Sequence, residues 1–253
     1  LVECFLFLIT FFISAWYFEM IWEEETYGWY SKSIMILLGF TGIFLHGKPR
    51  EYGLIPKSLR FSLKWGANIF LLFFGPSLLI LVISISFGAA NLKFNPEILV
   101  TDFVWYFIFG GLAEEIFFRG FIQSRLNEVF TKKYEEILGT EFEWTQGTLI
   151  TAIFFFGLPH LLVLINPFTG RVEFSIFVLI ESFMFAPFLG VIFGIIREKT
   201  GSIIITTIFH AMINFVAFDI GRIVGKMASN IAVAISIGIF FATFFERILK
   251  AEV

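Results

Sequence analysis

Apolar runs of roughly twenty residues, the length a helix needs to cross a bilayer core of about 30 Å, recur along the whole chain. Eight can be marked, at residues 1–22, 33–45, 61–90, 98–123, 147–165, 174–196, 202–220 and 227–245; the second is short as drawn and is better started near Trp29. In lipid every backbone N–H and C=O must be satisfied within the segment or across a closed barrel, and the two-residue alternation of a barrel is absent. The expected fold is therefore all-α: a polytopic membrane protein of about eight transmembrane helices, with residues 1–253 forming one integral domain. Only 15% of the residues are charged, against about a quarter in soluble domains, and no soluble core would absorb 38 Phe in such blocks. Gly75-Pro76 should kink or divide the third segment.

Loop charge gives a sidedness. With alternating crossings, the side holding the N-terminus receives twelve basic residues, among them Lys48, Arg50, Lys132, Lys133 and Arg197. The other side receives five: Lys32, Lys93, Arg171, Arg222 and Lys226. By the positive-inside rule both termini are expected in the cytoplasm. The stretch 48–64 reads either as a segment lying on that surface or as a plain basic loop. Glu3 near the start of the first run, with no basic region before it and no small-residue cleavage site, reads as a retained helix, not a signal peptide. A net charge of −3 argues against nucleic acid as a partner, and the single Cys4 excludes an internal disulfide.

Charged groups inside lipid-spanning helices are costly and normally face the bundle interior. Residues 110–119 carry three: Glu114, Glu115 and Arg119. Glu115 and Arg119 are four apart and share a helix face, whereas Glu114 points about 100° away and is left to face a cavity. Phe156-Gly157-Leu158-Pro159-His160 puts an imidazole where proline disturbs the helix, and His210 and Asn214 share one face of the seventh segment. Counted from the N-terminal side of the membrane, Glu114, His160 and His210 lie at overlapping depths of roughly 12–20 Å, so one shared site is expected. The inventory suits amide hydrolysis by activated water. Glu114 would serve as general base, His160 would orient the water or shuttle a proton, and His210 with Asn214 would donate to an oxyanion. A zinc-dependent version would use the same residues, and a buried ion-pair cluster, a membrane scaffold or a proton relay are the other classes such a cluster can serve.

Taken in order, E-E-x-x-x-R (Glu114, Glu115, Arg119), F-x-x-x-H (Phe156, His160) and H-x-x-x-N (His210, Asn214) resemble the CAAX prenyl endopeptidases of the Ras-converting-enzyme type, within a wider group of CAAX proteases and bacteriocin-processing or immunity proteins. The resemblance covers about residues 110–215, inside a motif core of about 98–220. It implies a glutamate-dependent intramembrane protease with catalytic Glu114, His160, His210 and Asn214, supported by Glu115, Arg119 and Phe156. It implies no cofactor and no catalytic metal. The implied partners are prenylated protein or peptide C-termini and the lipid bilayer, with the active site opening to the cytoplasm. A prokaryotic cell membrane is the favoured location, and the endoplasmic reticulum the eukaryotic counterpart; a bacteriocin self-immunity protein is the non-enzymatic reading. Glu181, near Pro187, has no assigned role.

Overall fold

The computed structural model describes residues 1–22, 28–91 and 95–253; Lys93 lies outside the described residues. The chain is helical almost throughout. Among the described residues, six helices are long and apolar enough to span a membrane: α1 (Val2–Trp22), α3 (Leu59–Ser86), α5 (Gln146–Leu164), α6 (Ile176–Thr200), α7 (Ile204–Val224) and α8 (Lys226–Lys250). The two other expected segments are α2 (Trp29–Leu45), apolar but 17 residues long, and a continuous helical stretch, α4, over residues 96–129. The charged residues Asp102, Glu114, Glu115 and Arg119 lie within α4. Pro76 sits inside α3 without dividing it, and Ser58 caps α3 by accepting from the Phe61 N–H at 3.3 Å. Residues 46–58 form turns, and residues 59–64 belong to α3.

Contacts group the described residues into two compact units. The first comprises Leu1–Lys57 and Ala113–Ile203; the second comprises Ser58–Leu112 and Ile204–Val253. In the first unit, α1 and α2 are antiparallel. Glu3, in the first turn of α1, meets His46, just past the end of α2, at 2.8 Å, and Trp22 stacks on Tyr30 at the other end. Gly39 lets α2 approach α4 closely: a Cβ there would lie 2.8 Å from Cγ2 of Ile116 and 3.2 Å from the Phe117 backbone. One end of this unit is strongly polar. Arg125 binds Glu3 at 3.1 Å and also pairs with Glu128, which accepts from Lys48 and Tyr52. Burial, reinforced by the Glu128 charge, pushes the Tyr52 phenol up to about 12. On the same end, α4 runs on to Val129, and a hairpin of β1 (Lys133–Ile137) and β2 (Thr140–Thr145) connects it to α5.

In the second unit, α7 packs against α3 and the first half of α4. Phe209 meets the rings of Phe73 and Phe240 at 5.4 and 4.5 Å. Gly111 admits α7 at close range, since a Cβ there would lie 2.9 Å from the Thr207 carbonyl oxygen. Arg222 pairs with the buried Asp102 and Asp219.

Candidate active site

Glu114 lies between two wide, π-type turns of α4, Trp105–Leu112 and Glu115–Ile122. Such turns are rare and recur at functional positions, because they break the regular side-chain register. Beyond Glu114 the pattern keeps i and i+4 together: Nη1 of Arg119 is 3.0 Å from Oε1 of Glu115, and both side chains are at most 1% exposed. The guanidinium also lies over the Phe156 ring, 3.9 Å from its centroid, with the Phe193 ring at 5.3 Å. Cation–π contact of this kind is favourable where water is excluded. Phe156 thus acts as a packing partner of the ion pair.

Glu114 meets a different cation. Nζ of Lys32, in the first turn of α2, is 2.6 Å from Oε1 of Glu114, with the two side chains 19% and 13% exposed. Lys32 escaped the sequence reading because it precedes the apolar run of α2 and passed for a loop residue. The signal was its position inside the helix once that helix is started at Trp29.

α5 changes winding where the histidine stands. Its wide turn Thr151–Gly157 tightens to a 3-10 helix over Leu158–Leu164, and Pro159, which has no N–H, opens that segment. Nδ1 of His160 lies 2.6 Å from the Phe156 carbonyl oxygen. A carbonyl only accepts, so Nδ1 carries the hydrogen, and in the neutral ring Nε2 is the acceptor.

Glu114, Phe118, Phe156 and His160 line one cavity of about 260 Å³ together with Lys32 and Arg171. Glu19 and Ser31 add two further polar groups, and the rest of the wall is mostly apolar, from α1 between Phe11 and Trp16 and from α5 as far as Val163. Glu114 and His160, inferred separately from two segments, face the same space. Cys4 is fully buried on α1 and is not among the lining residues, and neither is the exposed Glu181. His210 and Asn214 stand four apart on α7, in the second unit, where His210 is buried.

Glu114 is fifteen residues before Val129, the end of α4, and His160 fourteen residues after Gln146, the start of α5: about 22 and 21 Å of helix from the basic end. α4 continues in polar residues beyond its apolar run. The rim is at the other end of the unit, where a short hairpin, β3 (Ile165–Asn166) and β4 (Arg171–Val172), follows α5. There Arg171 pairs with Glu19, whose Oε2 also accepts from Nδ2 of the fully buried Asn166 at 3.0 Å.

Residues 95–216 match the family model described as type II CAAX prenyl endopeptidase Rce1-like, the family that the three motifs resemble. No curated protein and no solved structure matches the chain.

Proposed function

Taking residues 95–216 as an Rce1-like segment, we propose that the chain is an intramembrane endopeptidase that removes the C-terminal tripeptide following a prenylated cysteine. The observation that carries this reading is the cavity in which Glu114, charge-balanced by Lys32, faces the same space as His160. Glu114 takes a proton from a water molecule whose oxygen adds to the carbonyl carbon of the prenylated cysteine. The tetrahedral oxyanion then collapses, the C–N bond breaks, and the proton passes to the leaving amine. Nε2 of His160 accepts a hydrogen bond from the water and fixes its direction. On motif alone, His210 and Asn214 donate to the oxyanion. Glu115 and Arg119 hold α4 in shape, and the mechanism uses neither a cofactor nor a metal.

Apolar walls suit a prenyl chain, so prenylation should govern turnover. A peptide carrying S-farnesylcysteine followed by three apolar residues should be cleaved with a kcat/KM at least about a hundredfold above that of its unprenylated twin, the apolar burial of so many methylenes being worth far more than that. Equal cleavage of both would remove prenylated chain ends as the substrate class and leave a general peptidase.

In the sequence, loop charge and the entry route of prenylated tails both favour a site facing the cytoplasm, whereas the rim of the first unit lies at the end away from the basic cluster. Loop charge assigns eight crossings with both termini in the cytoplasm. Entry of prenylated tails from the cytosolic leaflet requires a site that opens to the cytoplasm. A single cysteine at Thr169, in the rim hairpin, labelled with a membrane-impermeant maleimide in right-side-out and inverted vesicles, decides which side the rim faces. Labelling from the cytoplasmic side supports prenylated cytosolic tails as substrates; labelling from the outside excludes them.

A further inference from the structure

We propose that Arg171 is the residue that recognises the free C-terminal carboxylate of the substrate, exchanging Glu19 for it. The assignment rests on the endopeptidase reading above. An enzyme that cuts three residues from a chain end must register where the chain ends. The end is marked by an ionised carboxylate, which an apolar cavity rejects unless a cation meets it.

Among the described residues, two Lys or Arg side chains line the cavity, Lys32 and Arg171. Lys32 is engaged by Glu114 at 2.6 Å, at the point where the bond is to be cut. Arg171 is at the rim, its side chain 35% exposed. Its two terminal nitrogens both face the Glu19 carboxylate, Nη2 at 3.3 Å from Oε2, and Nη2 also donates to the Val163 carbonyl at 3.1 Å. A guanidinium presenting two N–H groups to one carboxylate is the fork geometry that selects carboxylates over neutral groups. The fork is built rather than incidental. Asn166, fully buried, donates to Glu19 at 3.0 Å and to the Trp16 carbonyl at 3.2 Å, while its Oδ1 accepts from the Phe168 N–H at 3.0 Å to shape the hairpin turn.

The experiment uses the purified full chain and two farnesylated peptides of one sequence, one ending in a carboxylate and the other in a carboxamide. Wild type should prefer the acid by roughly tenfold to a hundredfold in kcat/KM, the range of a charge-assisted hydrogen-bonded pair. Arg171→Gln should collapse that ratio toward one, chiefly through KM for the acid. Arg171→Lys should retain part of it, and Glu19→Gln should lower KM for the acid by removing the competitor. If the pair only pins the hairpin to α1, Arg171→Gln slows both peptides equally and the ratio stands, which overturns the assignment. A wild-type ratio near one also overturns it while leaving the peptidase reading intact. Wild type that cleaves neither peptide overturns the peptidase reading and the assignment with it.

Discussion

Glu114→Gln is expected to lower kcat for the farnesylated peptide by about 10²–10⁴, the usual worth of a positioned general base, with little change in thermal stability. Gln retains the shape of Glu and an oxygen that accepts from Nζ of Lys32, so the contact at 2.6 Å between α2 and α4 has a neutral substitute. What it cannot do is take a proton. Loss of activity with an unchanged melting temperature therefore separates chemistry from packing. A variant that keeps wild-type turnover would remove Glu114 from the mechanism, and one that unfolds would make the Lys32 pair an element of the fold. KM should move little, because Glu114 acts on the water.

Arg119→Met should act in the opposite way, on stability before chemistry. Removing one partner from a buried pair strands the other charge, at a typical loss of about 3–5 kcal/mol. Here the Glu115 carboxylate stays behind at 0% exposure, and the cation over the Phe156 and Phe193 rings is lost. The double variant Glu115→Gln/Arg119→Met should recover much of that loss, because no charge is then left buried. The check is a thermal-shift series in detergent on wild type, both single variants and the double. A wild-type melting temperature for Arg119→Met would mean that the pair does not hold α4.

Much of the fold was legible because lipid leaves a chain few choices. The apolar runs marked the helices, and i,i+4 spacing identified the Glu115–Arg119 pair without reference to any other segment. Pro159 announced the change of winding that surrounds His160. The missing parts are those in which polar residues continue or close a structure that apolar runs only outline. α4 extends through Gln123–Val129 because its polar side chains find partners at the basic end, so a reading that stops at the last apolar residue stops early. The β1–β2 hairpin mixes aromatic and charged residues, and Tyr134 pairs with Trp144 across it, a contact between positions ten apart that periodicity does not reveal. Lys32, Glu19 and Arg171 are single charges at helix ends or in a loop. Each is ordinary in sequence, and their role follows from distances between elements that local pattern does not encode.

In the proposed reaction this cavity cuts one bond, after the prenylated cysteine, with water. The most direct measurement is mass spectrometry of the fragments that purified wild-type protein, reconstituted in lipid, releases from the farnesylated peptide acid. The expected products are an intact tripeptide with a free amine and a farnesylcysteine product ending in a carboxylate, both absent with Glu114→Gln. Recovery of uncut peptide, or release of single amino acids from the chain end, would contradict it.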